Sequence, residues 1–208
     1  MRRVVISLVV LPALLAATAA AGAPAAEPLS VSKRVLRANE LRGFKPFGPP
    51  TVFLRPRAWI SSDTGLTKGA VTARATRLTK RGFVTLVNQN LAPMRGSYDR
   101  GGVSWVMRLG SPAFARAELA TIAKYSATEG KRRGHSYKPF KVTGVPRAIG
   151  FRATSPGQVS DNVVFADGPF IYSITARWEQ YARKPPARFT TIVAARKLYQ
   201  RVHGRPPA

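Results

Sequence analysis

The side chains that most often catalyse reactions or bind metal ions are few in this sequence, and they lie far apart. The 208 residues include no cysteine, two histidines and nine acidic residues. The lack of cysteine excludes zinc fingers, iron–sulfur clusters, disulfides and cysteine nucleophiles. A metal site needs clustered histidine or carboxylate ligands, whereas His135 and His203 each stand alone in the sequence. We therefore expect no metal site and no cofactor.

Motifs of the large enzyme families are also missing. The sequence has no G-x-x-x-x-G-K-[ST] loop, no strand-linked G-x-G-x-x-G and no G-x-S-x-G elbow. Asp99 and Asp161 are candidates for the carboxylate pair of a glycosidase, but nothing in the sequence brings them together. A hydrolase with His135 as base and Ser136 or Ser173 as nucleophile has no orienting acid. We therefore expect a protein that is not an enzyme, with the hydrolase as the weakest alternative.

Charge is the strongest chemical signal in the chain. There are 34 lysines and arginines against nine acidic residues, a formal net charge of +25. Such a surface attracts polyanions with an affinity that falls as salt rises. The cations are scattered, so a solvated basic surface without a dedicated ligand is the simpler interpretation. The candidate anion-binding residues form two groups, a stripe on a predicted helix (Arg74, Arg77 and Arg81) and a predicted basic loop (Lys131, Arg132 and Arg133).

The first residues have the pattern of a secretory signal peptide. Two arginines follow Met1, an apolar run covers residues 4–15, and small residues dominate 16–26. The A-x-A rule allows cleavage after Ala21 or after Ala25, and we favour the second. The apolar stretch is long enough to span a bilayer, so an uncleaved anchor is the alternative. We predict an extracytoplasmic protein exported by this signal.

Hydrophobic periodicity predicts the elements that would have to position any site. In order, they are a helix over 66–81, strands over 83–91 and 103–109, a helix over 111–127, strands over 140–143 and 148–154, a hairpin of 159–166 and 170–176, and a helix over 187–202. Hairpins and short connections favour an antiparallel sheet. We predict an α+β domain with an antiparallel sheet of about five to six strands and two or three helices packed mainly on one face.

This single domain is expected to cover residues 38–203. A signal peptide over 1–25 and a leader over 26–37 precede it, and a disordered tail over 204–208 follows.

Local signals predict where the helices begin and end. Asp63 or Thr64 can cap the first long helix, because their side chains accept hydrogen bonds from free backbone N–H groups. Ser111 followed by proline begins the second, and Gly130 is expected to end it. In the last helix, Phe189 is expected on the inward face.

A strand and a helix together suggest an alternative function. Alternation over 103–109 directs Trp105 and Met107 inward and Ser104 outward. Phe114 and Leu119 lie on the apolar side of the helix that follows. A small apolar ligand held between sheet and helices would contact these residues, although an ordinary core has the same pattern.

Two longer stretches carry a resemblance. Residues 77–83 form a helix end that runs into a strand, and 104–120 form a strand, a Ser-Pro start and an alanine-rich helix. With Gly144–Ala148 and Gly168–Tyr172 following, the arrangement resembles small secreted α+β domains of high-GC bacteria, some of which are similar to the PsbP-like fold. The resemblance implies a non-catalytic extracytoplasmic role and supplies no catalytic residues.

These observations lead to one functional expectation. We expect a secreted or envelope-associated basic protein, monomeric, that binds anionic cell-envelope polymers or lipid headgroups at a wall or membrane surface. Specific nucleic-acid recognition is not expected. The alternatives are the carrier of a small apolar ligand and the hydrolase described above.

Overall fold

The computed structural model describes residues 30–62, 66–94, 100–132, 136–179 and 188–204. In chain order, the elements are a 3-10 helix (Val31–Arg34), β1 (Phe44–Pro46), β2 (Thr51–Phe53), α1 (Pro56–Ser61), α2 (Lys68–Lys80), β3 (Thr85–Pro93), β4 (Arg100–Arg108), α3 (Pro112–Arg132), β5 (Ser136–Phe140), β6 (Ile149–Ser155), β7 (Gln158–Asp167), β8 (Phe170–Glu179) and α4 (Arg188–Val202). No helix within these ranges is long and apolar enough to cross a membrane.

The eight strands of the described residues form one antiparallel sheet. Its order is β1-β3-β4-β8-β7-β6-β5, and β2 pairs with the same edge of β3 as β1 does. The predicted α+β class is confirmed, with more strands than the five or six expected. The two additional strands, β1 and β2, have three residues each. They flank a proline-rich stretch and are too short for alternation to reveal them.

The β7–β8 hairpin is the longest strand pair and was predicted correctly. Its ladder extends from Gln158↔Glu179 to Asp167↔Phe170. Gly168 has φ of +54° in the turn, a conformation that glycine adopts without steric cost. The long connection through α3 leads from β4 to the far edge of the sheet, and the β5–β8 meander returns, so that β8 pairs with β4.

Both faces of the sheet are buried. Along β7, Val163 and Phe165 belong to one hydrophobic cluster and Val164 to the other, as the period of two in a strand requires. Helices α1, α2 and α3 cover the face of Val164. Helix α4 and the segment before β1 cover the opposite face. The layer that was not anticipated is therefore the one formed by α4 and the N-terminal segment.

This second layer corrects the prediction for Ser104. The side chain was expected to face solvent, but it is fully buried beneath the N-terminal segment. Its hydroxyl accepts a hydrogen bond of 3.0 Å from the Leu36 N–H, which satisfies both polar groups. Val35 and Leu36 are only 5% and 2% exposed. The stretch assigned to a leader therefore includes residues that pack in the core.

The helix ends show which local signals were sufficient. Ser111 begins α3 as predicted, because its Oγ accepts a 3.1 Å hydrogen bond from the Phe114 N–H. Helix α2 instead begins after Thr67, whose hydroxyl accepts from the Ala70 N–H, and Asp63 and Thr64 lie outside the described residues. The stop predicted at Gly130 is wrong, since α3 continues to residue 132. One glycine costs a helix only about 1 kcal/mol.

Candidate functional site

Two of the predicted anion-binding arginines already bind a carboxylate of the protein itself. Arg77 donates to both oxygens of Glu118, with Nε–Oε2 and Nη2–Oε1 distances of 3.1 and 3.2 Å. Arg81 donates to the same carboxylate and, over 3.1 Å, to the hydroxyl of Thr121. The Glu118 side chain is 1% exposed. These contacts join α2 to α3, which is a structural role.

The remaining predicted cations are Arg74 on α2 and the group of Lys131, Arg132 and Arg133. The Arg74 guanidinium lies 4.7 Å from the centroid of the Trp59 ring. Lys131 and Arg132 are the last residues of α3, and Arg133 lies outside the described residues. Ten residues of helix separate Thr121 from Lys131, about 15 Å of rise. Anion binding by these six residues stays a prediction.

The candidate catalytic residues are not brought together within the described ranges. His135 and Asp99 lie outside them. Ser136 is exposed at the start of β5, and Ser173 is buried in β8, where only 4% of the residue is exposed. Asp161 receives two hydrogen bonds of 2.7 Å from Arg152, and this contact raises the pKa of the arginine.

The residues of the carrier hypothesis lie in the cluster beneath α3. Met107 is fully buried and Leu119 is 7% exposed, and both pack with side chains of α1 and α2. Trp105 packs at the edge of this cluster, its ring centroid 5.5 Å from that of Trp59. Phe114 is 41% exposed at the start of α3. The groove described next does not include these residues, whereas Leu119 also lines a second cavity, which is described below.

A groove runs along α4 from Phe189 to Lys197, between that helix, the turn before β1 and the end of β3. Its volume is about 350 Å³. We call it the α4 groove. The lining residues are Asn39, Glu40, Arg42, Gly43, Met94, Phe189, Thr190, Val193 and Lys197.

Two large apolar side chains of the α4 groove face water. Phe189 is 65% exposed and Met94 is 52% exposed. The prediction that Phe189 faces inward is wrong, because α4 presents Thr191, Ala194 and Leu198 to the sheet instead. Because this face of α4, with the small residue Ala194 at its centre, packs on the sheet, the phenyl ring of Phe189 lies on the groove side of the helix.

The charge of the α4 groove is positive. Its one carboxylate, Glu40, receives two hydrogen bonds from Arg201, of 2.7 and 2.9 Å, and a third of 2.7 Å from the Arg37 N–H. Arg42 and Lys197 are exposed and form no ion pair with a described residue. The groove therefore combines an apolar wall with two available cations.

Backbone geometry holds the turn that forms one side of the groove. Asn39 and Gly43 have φ of +68° and +86°, values that asparagine and glycine tolerate better than other residues. The Gly43 carbonyl accepts a 2.9 Å hydrogen bond from the Met94 N–H. The turn is thus fixed to the end of β3, and Arg42 is carried at the groove rim.

Comparison with known proteins gives a fold likeness and no family. No protein-family model matches the chain, and no curated protein sequence matches it. A similar solved structure is the extracellular domain of PknH from Mycobacterium tuberculosis, with a TM-score of 0.51 and 14% sequence identity. The match covers 86% of this chain and 99% of that chain.

At this identity, the likeness shows the fold alone. It agrees with the expected resemblance to small extracellular domains of high-GC bacteria. The resemblance to the PsbP-like fold stays a prediction.

Proposed function

We propose that this chain is a non-catalytic extracytoplasmic protein that binds the anionic headgroups of envelope lipids through the α4 groove. One observation carries the proposal. Two exposed apolar side chains, Phe189 and Met94, share a groove with two cations that have no acidic partner in the described part of the chain. The likeness in fold to an extracellular domain supports a position outside the cytoplasm.

A lipid surface is complementary to both parts of the groove. Anionic headgroups attract Arg42 and Lys197, and a cation near such a surface contributes about 1 kcal/mol. The Phe189 ring and the Met94 thioether leave water when they enter the headgroup region. A fully hydrophilic wall polymer would leave these apolar groups in water. The groove therefore favours a lipid surface over a wall polymer among the anionic ligands expected from the sequence.

The test is sedimentation with phospholipid vesicles, anionic or zwitterionic, at about 150 mM salt. The chain from residue 26 onward is used, so that the apolar signal peptide predicted over 1–25 does not insert, and circular dichroism verifies its fold. We expect binding to anionic vesicles that weakens as salt increases. Phe189→Ser should reduce the bound fraction, and Arg42→Glu combined with Lys197→Glu should abolish binding.

Matched controls separate the groove from generic charge. Leu54→Ser removes a side chain that is 73% exposed next to β2. Arg57→Glu with Lys68→Glu makes the same change of charge on α1 and α2, across the sheet from α4. Both controls should bind like the wild type. Equal losses in groove and control variants, or no binding to anionic vesicles, would overturn the proposal, and a loss confined to Arg74→Glu would place binding on α2.

A further inference from the structure

A second cavity lies near the other end of α4, beside the β7–β8 turn. Its volume is about 340 Å³, within the range of small-molecule sites. Four parts of the chain line it, including Arg116 of α3, Arg147 before β6, Asp167 of the hairpin and Tyr199 of α4. We call it the hairpin cavity.

Arg147 reaches the hairpin cavity from a strained backbone. Its φ is +55°, one of two positive values at non-glycine residues in the described ranges. Arginine gains nothing locally from this conformation, in contrast to asparagine, whose side chain can hydrogen-bond to its own backbone. Strain of this kind concentrates at ligand-binding positions, where it fixes the direction of a side chain.

The two arginines of the cavity differ from those that hold the fold together. Arg77, Arg81, Arg152 and Arg201 each bind a carboxylate. Arg116 and Arg147 are exposed, and neither side chain forms a hydrogen bond or an ion pair with a described residue. Their guanidinium groups are therefore available to a ligand.

The one carboxylate of the cavity already has a partner. The Asp167 Oδ1 atom lies 3.4 Å from Nδ1 of His203, and the side chain is 25% exposed. The His203 ring in turn stacks on Tyr199, with 5.1 Å between centroids and an interplanar angle of 15°. The partly exposed carboxylate retains acceptor capacity for a ligand hydroxyl.

We propose that the hairpin cavity binds a small hydroxylated organic phosphate. Arg116 and Arg147 bind the phosphoryl oxygens, because the planar guanidinium donates paired hydrogen bonds to phosphate. Asp167 accepts from a hydroxyl group of the ligand, and His203 lies beside this carboxylate. The phosphate can be a free sugar or polyol phosphate or the repeating unit of an envelope polymer, since the chemistry is the same. The site is separate from the α4 groove and does not depend on the function proposed there.

Calorimetric titration with glycerol 3-phosphate tests the proposal, with glycerol and sulfate as reference ligands. We expect glycerol 3-phosphate to bind and both reference ligands to bind at least tenfold more weakly. A poly(glycerol phosphate) chain titrated in parallel distinguishes the two sources. Tighter binding of the polymer per phosphate indicates the envelope polymer, and equal or weaker binding indicates the free phosphate.

Substitutions locate the site. Arg116→Gln and Arg147→Gly should each weaken binding of glycerol 3-phosphate about tenfold or more. Asp167→Asn should weaken glycerol 3-phosphate but leave sulfate unchanged. Arg57→Gln, at an exposed position of α1 that belongs to neither cavity, should bind like the wild type. The proposal is overturned if wild-type protein does not bind, if sulfate binds equally well, or if Arg57→Gln causes the same loss as Arg116→Gln.

Discussion

Arg201 of α4 binds Glu40 through two hydrogen bonds, although 161 residues separate them in the chain. The same guanidinium donates to the backbone carbonyls of Lys33 and Val35, over 2.6 and 2.8 Å. One side chain of the last helix therefore fixes the segment that precedes β1. This contact holds in place the turn that carries Arg42, one of the two cations of the α4 groove.

Replacing Arg201 should destabilise the whole domain. Arg201→Met removes four hydrogen bonds. It leaves Glu40 with the hydrogen bond from the Arg37 N–H and deprives two carbonyls of their side-chain donor, so the free energy of unfolding should fall by about 2 to 4 kcal/mol. Urea unfolding measures this change. Lys80→Met, at an exposed position of α2, should stay within about 0.5 kcal/mol of the wild type. A similar small effect of Arg201→Met would mean that the N-terminal segment does not contribute to stability.

The carboxylate of Glu118 should matter more than either of its arginines. Glu118→Gln leaves both Arg77 and Arg81 partly buried beside a neutral amide, at a cost of about 2 to 4 kcal/mol. Arg77→Met leaves the contact between Arg81 and Glu118 and should cost less. Urea unfolding of the two variants gives the comparison. An equal or larger effect of Arg77→Met would contradict this order.

Substitution of two strand glycines by alanine should change the stability of the domain to different extents. A Cβ atom at Gly150 would lie 2.5 Å from the Phe140 ring and 2.7 Å from Cγ2 of Val142, whereas one at Gly101 meets nothing nearer than 4.0 Å. Gly150→Ala should therefore destabilise the domain by about 1 to 3 kcal/mol, and Gly101→Ala should be nearly neutral. Thermal unfolding checks both. Partial recovery of stability in Gly150→Ala combined with Phe140→Leu would show that the ring is one of the two obstacles, and Val142 the other.

The elements that the sequence predicts well are those with local signals. The β7–β8 hairpin has a turn dipeptide between two apolar runs, and α3 has a capping serine before proline. The second helical layer could not be predicted in this way. A buried serine and a solvent-facing serine look alike in an alternating pattern. Ser104 is buried because Leu36, which lies 68 residues earlier in the chain, packs over it, and the local sequence does not show this contact.

The candidate sites were also hidden from sequence reasoning. A regular spacing of Arg74, Arg77 and Arg81 predicted a free cationic stripe, because the sequence does not show that Glu118 lies opposite. Phe189 was assigned to the core from its helical position, but the small side chain of Ala194 sets a different face against the sheet. A useful signal was the scarcity of acidic residues, since nine carboxylates cannot each be paired with one of 34 lysines and arginines, and most of these cations have no carboxylate of their own.

Alkaline pH should destabilise the domain through Tyr172. Burial raises the pKa of this side chain to about 12, against the opposing effect of Arg34, which donates to its oxygen over 2.8 Å. Because the unfolded chain releases the proton near pH 10, stability present below pH 10 is lost as pH rises towards 12, by roughly 2 to 3 kcal/mol. Urea unfolding at increasing pH measures the loss.

The Tyr172→Phe variant is the control for this loss of stability between about pH 10 and pH 12. It cannot ionise at position 172, so its unfolding free energy should fall less steeply above pH 10 than that of the wild type. Lysine deprotonation affects both proteins and cancels in the comparison. Equal slopes in the two proteins would contradict a raised pKa at Tyr172.

The backbone strain at Arg147 should be measurable without any ligand. Arg147→Gly and Arg147→Ala both remove the guanidinium, but glycine tolerates a φ of +55° and alanine does not. The glycine variant should therefore be more stable than the alanine variant by about 1 kcal/mol. Thermal unfolding of the two variants measures the difference.

The comparison of Arg147→Gly with the wild type adds a second result. If the glycine variant is at least as stable as the wild type, arginine at this position does not stabilise the fold, as expected for a side chain that serves binding. Equal stability of the two variants would show that the turn relaxes and that the direction of Arg147 is not fixed.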